Sequence, residues 1–384
     1  MILHQHFRFP GQGGAIRSYY LAKALVEAGH EVIVISGGDS HRKITEEGIA
    51  VRYVSVDYDN RFGFFARVWS FGKYMWLAGR AARQEKNVAY CYAISVPLTV
   101  GITAMWLKRR TGVPFLFEVG DLWPEAPIQL GFVKNPWLQK FLYRMEKRIY
   151  QEADSIVALS PAIQKDIQAK IPNKKVHLIF NMADTDCYQP EPRLEELATA
   201  WDLQEKFVIS YIGAIGFANG LDFMLDCAAH CKGQEHLRFV IVGEGAMLHH
   251  LKKRKENEGL TNVMFLPFGN RESVQKIMRV TDACFISYLP VPVLETGSPN
   301  KYFDALAAGK LILINFGGWI RTEIEDKGCG VYVDGRDPST FLTKVLPYLN
   351  QPELLHRAQA AARQLAEEKY SRHKMSEAFQ AIFK

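Results

Sequence analysis

The amino-acid sequence predicts an α/β protein with two doubly wound, Rossmann-like domains that face each other across a cleft. Short apolar segments alternate with amphipathic segments along most of the 384 residues, as strands and helices do in parallel sheets. Glycine-rich turns follow apolar segments in both halves, and one region, residues 181–206, breaks the pattern with prolines and acids. Because 384 residues exceed one typical core, we place the domains at 1–182 and 183–366. We expect a C-terminal helix, residues 367–384, to pack back on the N-terminal domain.

Strands are assigned to apolar runs bounded by turn residues, and helices to segments with helical periodicity. In the first half, a strand and a loop are expected over 45–60, and further strands over Ala89–Ile94, Ala153–Ser160 and Val176–Phe180. Helices are expected there over Val96–Arg109 and Pro136–Glu152. In the second half, strands are expected over Phe207–Ile212, Leu237–Val242, Val263–Leu266, Ala283–Ser287, Leu311–Asn315 and Gly330–Val333.

The composition is that of a folded protein in a reducing compartment, with 48% hydrophobic and 23% charged residues. The longest uncharged stretch that suggests a membrane span, Val96 to Leu107, covers 12 residues and is too short. No secretory signal is visible, and no histidine lies at metal-site spacing from the six cysteines. We therefore predict a cytoplasmic protein with free thiols and no metal site.

Positive charge is concentrated in the first half of the chain. Residues 1–180 carry 24 Lys and Arg against 15 Asp and Glu, a net charge of +9, whereas residues 181–384 carry 23 against 26. This asymmetry indicates a polyanionic partner for the first domain, and both nucleic acid and an anionic membrane surface fit. Because no DNA- or RNA-binding motif is present, we expect the membrane surface and no nucleic acid.

The first glycine turn is expected at the carboxyl edge of the N-terminal sheet. An opening strand, Met1–Phe7, leads into Gly11–Gly14, a helix and a second strand, His30–Ser36. Ligands of open α/β sheets bind where strands end, so a phosphate or sugar could approach the bare backbone of Gly13 and Gly14. The alternative is a turn that only needs a positive φ.

A strand over Pro114–Gly120 is expected to deliver acidic side chains to the same sheet edge. Glu118, Asp121 and Glu125 lie on it or just after it, beside Trp123. Carboxylates in that position can orient a substrate hydroxyl or act as a general base. The alternative is that Asp121 only caps the next turn.

The chemistry of the second half centres on a helix that begins near Ser298. Ser298 is expected to cap the helix, Pro299 to occupy its first turn, and Gly309 to end it. The N-terminus of such a helix favours an anion, and Lys301 adds a positive charge one turn in. Asp304 lies on the same face and can accept from hydroxyls, so the pair suits the diphosphate and ribose of a nucleotide. The alternative is an ordinary capped helix.

Residues 62–86 form a basic, aromatic stretch with two helical stripes. One stripe is expected to face the domain core: Phe64, Val68, Phe71, Met75, Ala78 and Ala82. The other stripe mixes large aromatics with cations: Phe65, Trp69, Trp76, Lys73, Arg80 and Arg83. Such a face indicates an interfacial helix on an anionic membrane. The alternative is that a neighbouring helix or a second subunit buries Trp69 and Trp76.

Seven segments, taken in order, resemble glycosyltransferase family 4, the retaining nucleotide-sugar transferases of GT-B fold. The resemblance covers nearly the whole chain and rests on residues 13–14 with 21–32, 153–160, 181–184, 211–213 with 220, 242–245, 262–266 and 298–309. The form of residues 117–125 and 298–301 resembles the subgroup that includes proteins assigned as L-fucosaminyltransferases of bacterial surface-polysaccharide synthesis.

The resemblance implies transfer of a sugar, of the N-acetylated hexosamine type, from a UDP-sugar to a lipid-linked or saccharide acceptor. It implies no metal, no cofactor besides the donor substrate, and a peripheral place at the inner face of the plasma membrane. The residues implied to bind the donor are Gly13, Gly14, Gly213, Glu244, Phe268, Asn270, Ser298, Asn300, Lys301 and Asp304. The implied catalytic residues are Asp121 and Glu118.

The sequence departs from the family pattern where the donor phosphates are normally held. The family has two glutamates separated by seven residues; Asp304 takes the second position, and the first falls on Thr296, with Glu295 beside it. The two usual cations are replaced by Ala214 and Asn219. These departures leave open a degenerate protein that binds a sugar nucleotide without turnover. A UDP-sugar epimerase of the same architecture is a further alternative.

Overall fold

The computed structural model describes residues 1–12, 16–58, 62–95 and 97–383. The chain divides into two compact units. The first unit consists of Met1–Asn181, Thr296–Ser298 and His373–Lys384, and the second of Met182–Glu295 and Pro299–Arg372. The first unit therefore contains both ends of the described chain.

The first unit is built on a twisted sheet of eight strands, counted over the described residues. These strands are β1 Ile2–Leu3, β2 Val32–Gly38, β3 Arg42–Glu46, β4 Ile49–Ser55, β5 Cys91–Ile94, β6 Phe115–Val119, β7 Ser155–Ala158 and β8 Val176–Leu178. Their order across the sheet is β3-β4-β2-β1-β5-β6-β7-β8. The pairing of β3 with β4 is antiparallel, and the other described pairings are parallel.

Helices connect these strands across the faces of the sheet. They are α1 Arg17–Glu27, α2 Phe64–Gln84, α3 Thr99–Thr111, α4 Glu125–Gln129, α5 Pro136–Glu152 and α6 Pro161–Lys170. Asn135 starts α5, because its side-chain oxygen accepts from the backbone N–H groups of Trp137 and Leu138 at 2.9 and 3.2 Å.

The second unit carries six parallel strands within the described residues. They are β9 Phe207–Ile212, β10 Leu237–Val242, β11 Val263–Leu266, β12 Ala283–Ile286, β13 Leu311–Ile314 and β14 Gly330–Tyr332, in the order β11-β10-β9-β12-β13-β14. Buried side chains of β9, β10 and β12 form the centre of its core, among them Tyr211, Phe239 and Phe285.

The helices of the second unit are α7 Glu195–Ala200, α8 Asp222–His230, α9 Leu248–Glu258, α10 Arg271–Val280, α11 Asn300–Ala307, α12 Trp319–Lys327, α13 Phe341–Asn350 and α14 Pro352–Leu365. A π-helical turn, Ala366–Tyr370, follows α14 and leads into α15, Arg372–Gln380. In the first unit, α15 packs its Phe379 ring 4.7 Å from the ring of Tyr92, and Gln380 donates to the Ala24 carbonyl at 2.6 Å.

The predicted class, two Rossmann-like α/β domains with parallel sheets, is confirmed. One local prediction was wrong, because the opening strand is shorter than Met1–Phe7. The strand expected within 45–60 is β4, and it forms a hairpin with β3, which was not predicted. The hairpin was missed because β3 is mostly exposed and polar, so it lacks the apolar pattern used to recognise strands.

The predicted start of α11 was also wrong. The cap position is occupied by Pro299, and no side chain caps this helix. Ser298 is buried in the first unit, where its carbonyl accepts from the Asn181 side chain at 2.5 Å and its hydroxyl has no hydrogen-bond partner. A proline can hold the extended cap conformation without a side-chain bond, which places the first helical residue at Asn300.

Candidate functional site

Two glycine turns interlock at the carboxyl edge of the second sheet. The Gly213 N–H donates to the Val242 carbonyl at 2.9 Å, and the Ile215 N–H donates to the Glu244 carbonyl at 2.8 Å. A side chain at Gly243 would overlap the Gly213 carbonyl, so the two backbones approach closely only because this residue is glycine. The turns after β9 and β10 therefore form one surface of nearly bare backbone.

Lys301 lies directly across this backbone surface. A Cβ added at Gly213 would overlap Lys301 Cε and lie 3.2 Å from Nζ, and the φ of Gly213 is +144°. The ammonium also sits 4.9 Å from the centroid of the Tyr211 ring, within the range of a cation–π interaction. The cation predicted from the α11 sequence is thus held at the glycine turn after β9.

Asp304 lies one turn further along α11 and is half-buried. Burial raises the pKa of its carboxyl from 3.8 to about 7; Asp184 adds to the rise, whereas Arg271 and Lys301 oppose it. Burial likewise lowers the pKa of Lys301 from 10.5 to about 8, and Asp304 opposes that change. The two groups are therefore poised to change charge near neutral pH.

Arg271 is a residue that the sequence analysis missed. It is the first residue of α10, forms an ion pair with the buried Asp184, and lies 5.6 Å from the centroid of the Tyr188 ring. Its charge acts on Asp304, which is 33 residues away in the chain. Its one sequence signal was its place directly after Asn270, one of the residues that the resemblance implies to bind the donor.

The positions of the missing family cations have structural roles in the turn. The Asn219 side-chain oxygen accepts from the Gly216 N–H at 3.2 Å, and the Ala214 carbonyl accepts from the Tyr211 hydroxyl at 2.6 Å. Both bonds hold the turn after β9 in place without adding charge. Lys301 and Arg271 lie in the same unit and offer positive charge instead.

The other predicted donor-binding residues of the second unit lie on loops at strand ends or at a helix start. Glu244 and Asn300 are exposed, and the Phe268 side chain is 44% exposed. Asn270 caps α10, because its side-chain oxygen accepts from the Ser273 N–H at 2.9 Å. Exposed loop groups at a carboxyl edge can contact a ligand, but their roles stay predictions.

Glu295, beside the first family glutamate position, is engaged by the turn after β13. Its carboxylate accepts from the Gly317 N–H at 3.2 Å, and a side chain at Gly318 would overlap its carbonyl. The Thr296 carbonyl accepts from the Ser160 hydroxyl at 2.5 Å within the first unit. A carboxylate, that of Glu295, is therefore present beside the position of the first family glutamate, and the glycine turn Gly317–Gly318 holds it in place.

Glu118 does not have the surroundings expected of a catalytic base. It is 2% exposed, binds the Arg17 guanidinium at 2.9 Å and accepts from the Tyr92 hydroxyl. Arg17 also donates to the carbonyls of Ile179 and Phe180. This network ties α1 to β5 and β6, so the structure supports a structural role for Glu118 and not the predicted catalytic one.

Asp121 follows β6 at the carboxyl edge of the first sheet, as the sequence predicted. Among the described residues it makes no hydrogen bond or ion pair, and no side chain caps α4, which removes the capping alternative. The side chain is exposed, yet the surrounding protein removes part of its hydration and raises the pKa of its carboxyl above 3.8. Gly13 and Gly14, predicted to lie at the same edge, fall outside the described residues.

Two histidines near the end of β1 were also missed by the sequence analysis. His4 shares a 2.8 Å hydrogen bond with the Ser18 hydroxyl, and the His6 ring lies 4.2 Å from the ring of Tyr58. Burial lowers the pKa of His4 to about 3 and that of His6 to about 4, so both imidazoles are neutral at physiological pH. The sequence did not indicate them, because the predicted strand Met1–Phe7 included both histidines, whereas β1 ends at Leu3.

Two negative findings hold for the part of the chain that the structure describes. No group of three histidine, cysteine, aspartate or glutamate side chains is arranged to hold a metal ion. Every helix in that part is too short or too polar to cross a lipid bilayer.

The sequence matches two protein families along most of its length. Residues 12–181 match the family described as "Glycosyl transferase 4-like domain", and residues 195–365 match "Glycosyl transferases group 1". The boundary between the two matches falls in the region that leads into the second unit.

Two curated relatives carry names from bacterial surface-polysaccharide synthesis. The chain is 24% identical over 217 residues to WcaI of Escherichia coli (strain K12), which is named for colanic acid biosynthesis. It is 25% identical over 240 residues to TuaH of Bacillus subtilis (strain 168), which is named for teichuronic acid biosynthesis. These matches cover 53% and 62% of this chain and only 51% and 58% of the two relatives.

The fold is shared with solved structures over the full chain. The crystal structure of Anabaena HepE in complex with UDP-glucose aligns with a TM-score of 0.72 at 14% sequence identity. The alignment covers 100% of this chain and 98% of that chain. At this identity the likeness shows the fold alone.

Proposed function

Because this chain belongs to the glycosyltransferases that combine a glycosyl transferase 4-like domain with a group 1 domain, we propose that it transfers a sugar from a nucleotide-sugar donor to an acceptor in bacterial surface-polysaccharide synthesis. The observation that carries this proposal is the contact of Lys301 with the Gly213 turn, with Asp304 one turn further along α11. A cation on bare backbone, followed by an acceptor for hydroxyls, fits a diphosphate joined to a ribose.

In the proposed mechanism, the second unit stabilises the charge that develops on the leaving diphosphate. Lys301, the N–H groups at the start of α11 and the backbone of the Gly213 turn supply that stabilisation, so no metal ion is required. Asp304 accepts from the ribose hydroxyls. In the first unit, Asp121 orients the transferred sugar or the acceptor hydroxyl, and the anomeric configuration is retained.

We propose UDP as the nucleotide and an N-acetylated hexosamine as the sugar. The UDP-glucose complex of a protein with the same fold supports the first choice, and the resemblance to the fucosaminyltransferase subgroup supports the second. We further propose a saccharide or lipid-linked acceptor; the names of the two curated relatives, which refer to colanic acid and teichuronic acid biosynthesis, support a saccharide.

A lipid-linked acceptor requires access to a membrane surface, and α2 offers a suitable one. Phe65, Trp69 and Trp76 are 86%, 77% and 59% exposed, as the sequence predicted. Val68 was expected in the core but is 46% exposed. We propose that this face of α2 rests on an anionic membrane from the cytoplasmic side.

The donor proposal is tested with the full chain and a panel of UDP-, GDP- and dTDP-sugars. A ligand that binds only the folded state stabilises it by RT ln(1 + [L]/Kd), about 2.7 kcal/mol at a hundredfold excess over Kd. We expect a thermal shift with a UDP-N-acetylhexosamine, and a smaller one with Lys301→Ala. A shift with no member of the panel would overturn the proposal, and release of an altered free sugar nucleotide would identify an epimerase instead.

A further inference from the structure

Exposed hydrophobic side chains are concentrated on one part of the first unit. Ten large hydrophobic residues are exposed within the described chain, and eight of them lie on α2, on α5 or in the loop before α5: Phe65, Val68, Trp69, Trp76, Phe132, Trp137, Leu138 and Phe141. On α5, Trp137 is 79% exposed and Phe141 is 55% exposed. A soluble surface rarely exposes aromatics at this density without a partner.

The topology places α2 and α5 on the same face of the first sheet. The connection from β4 to β5 contains α2, and the connection from β6 to β7 contains α5. Both connections move toward the β8 edge of the sheet. Because crossovers between parallel strands are right-handed, two connections that move in the same direction place their helices on the same face. Phe65 and Trp137 are the second residues of their helices; α2 is the first helix after β4, and α5 follows β6 with the short helix α4 between them. Helix α3 packs against both α2 and α5.

Side-chain contacts connect the N-terminal halves of the two helices. The Phe71 ring of α2 lies 6.4 Å from the ring of Trp123, in the segment after β6. That segment continues into α4, where the Glu125 carboxylate accepts from the Tyr143 hydroxyl of α5. Trp123 and α4 therefore link the first half of α2 to the first half of α5 through side-chain contacts.

The charges on both exposed faces have one sign. Helix α2 contains no acidic residue, and its exposed cations are Lys73, Arg80 and Arg83, with the Arg80 guanidinium 4.8 Å from the centroid of the Trp76 ring. Residues 136–145 of α5 also contain no acid, and they expose Lys140 and Arg144. The next acid, Glu146, is 1% exposed and bound to Lys170 at 2.8 Å.

We infer that α5 and α2 form one docking face for an anionic lipid bilayer, in which Trp137 and Phe141 of α5 are a second aromatic anchor beside those of α2. Aromatic rings flanked by cations are the side chains that the interface between water and an anionic leaflet accommodates. Two anchored helices fix the orientation of the sheet on the membrane, whereas one helix leaves it free to rotate. The inference rests on the proposed access to a lipid-linked acceptor, but it requires neither a particular donor nor turnover.

The test is flotation of the full chain with vesicles of phosphatidylglycerol and phosphatidylcholine, compared with phosphatidylcholine alone. Three variants are compared: Trp137→Ser with Phe141→Ser, Lys140→Glu with Arg144→Glu, and Trp69→Ser with Trp76→Ser. The control is Lys252→Glu with Lys253→Glu, which reverses two exposed charges on α9 of the second unit. Circular dichroism and a cooperative thermal unfolding transition without ligand verify that each variant is folded.

We expect wild type and control to float with the anionic vesicles only, and each of the three variants to partition at least about tenfold less. The inference is overturned if the α5 variants float as well as wild type, or if wild type does not float. It is also overturned if sedimentation shows a dimer that the α5 substitutions dissociate without changing flotation. Normal flotation without binding of any nucleotide sugar would refute the donor proposal alone, and nucleotide binding without flotation would refute the docking face alone.

Discussion

Lys301 and Gly213 are in such close contact that a Cβ added at position 213 would overlap Lys301 Cε and displace the lysine side chain. The two residues are 88 positions apart, on α11 and after β9. The contact brings a positive charge to the turn in which Ala214 and Asn219 replace the usual cations of the family. Position 213 therefore determines where the charge of Lys301 sits.

Gly213→Ala should weaken nucleotide binding without removing any group that contacts the ligand. The new methyl group displaces the Lys301 side chain, and the φ of +144° strains any residue with a side chain. We expect a loss of about 1.5–3 kcal/mol in UDP affinity, the range for hydrogen bonds to charged groups, measured by calorimetry. The matched control is Gly233→Ala, since a Cβ there meets nothing within 4 Å. Equal affinities for Gly213→Ala and wild type would show that Lys301 does not hold the phosphates.

The affinity for a UDP-sugar should be highest between about pH 7 and pH 8. The diphosphate prefers the charged form of Lys301, whose pKa of about 8 in the free protein means that this charge is lost as the pH rises above 8. Affinity should therefore fall by up to about tenfold per pH unit on the alkaline side. On the acid side, Asp304 gains a proton below its pKa of about 7 and loses an acceptor for the ribose.

Calorimetry with a UDP-sugar from pH 6 to pH 9 measures this profile, because the charge of its diphosphate diester is constant over that range. Lys301→Arg should abolish the alkaline fall, since guanidinium stays charged. A profile that is flat for wild type would contradict the assignment of both residues.

Asp304→Asn should weaken UDP binding more than pyrophosphate binding, because only UDP has ribose hydroxyls. The same substitution should stabilise the fold at pH 8 and have little effect at pH 4. A carboxyl whose pKa is raised to about 7 in the folded state loses stability as the pH rises from its ordinary value of 3.8 through 7, and asparagine avoids that loss. Differential scanning calorimetry at the two pH values measures the effect, at roughly 2–4 °C per kcal/mol. Equal losses of affinity for UDP and for pyrophosphate would show that Asp304 does not bind the ribose.

Arg271→Gln should shift the acid side of the binding profile to higher pH. Arg271 opposes the rise in the pKa of Asp304, so its removal raises that pKa further and leaves Asp304 protonated at pH 7. Relative to wild type at the same pH, we expect the UDP affinity of Arg271→Gln to be lower at pH 7 and to recover in part at pH 8.5. Arg271→Lys keeps the charge and should preserve the profile, and Arg357→Gln, an exposed cation on α14, is the control. A loss that is the same at both pH values would indicate direct binding or a structural role instead.

The sequence alone was sufficient for the elements whose side chains show a clear pattern. The strands Phe207–Ile212 and Leu237–Val242 and the helix Pro136–Glu152 were predicted to the residue, because apolar runs or helical periodicity end there at turn residues or a cap. Asp121 was predicted as a site residue because it follows a strand, and Lys301 and Asp304 because they share one face near the start of a helix; their roles stay predictions. The ends of these strands and helices depend on neighbouring residues, so the sequence around each end is enough to predict them.

What the sequence could not show depends on residues that are distant in the chain. Glu118 has the same strand-end pattern as Asp121, but Arg17, 101 residues away, neutralises and buries it. Val68 has the periodicity of a core residue, but its side chain is 46% exposed. The effect of Arg271 on Asp304 likewise requires the fold of the second unit. Ion pairs between residues that are distant in the chain decide which carboxylate remains available to a ligand. Such pairs cannot be predicted from the local pattern of a single sequence.

Asp121→Asn should reduce turnover and leave donor binding unchanged. Among the described residues, this carboxylate has no hydrogen-bond or ion-pair partner, although it lies at the carboxyl edge beside Trp123. A carboxylate that has lost part of its hydration and has no bonded partner in the protein is available to bind a ligand. Its raised pKa also makes it a stronger base. We expect turnover in a radiolabelled sugar-transfer assay to fall at least about a hundredfold, the lower range for general acid–base catalysis.

The control for Asp121 is Glu31→Gln, which removes an exposed carboxylate just before β2, at the opposite edge of the same sheet. It should leave both turnover and UDP affinity at wild-type levels. Asp121→Glu separates two roles, because a longer carboxylate retains basicity but moves the oxygen atoms by about one methylene. Partial activity in Asp121→Glu with a loss in Asp121→Asn would indicate proton transfer, whereas equal losses would indicate orientation of a hydroxyl. Near-normal turnover in Asp121→Asn would exclude Asp121 from the reaction and direct the search to the neutral imidazole of His6 at the same sheet edge.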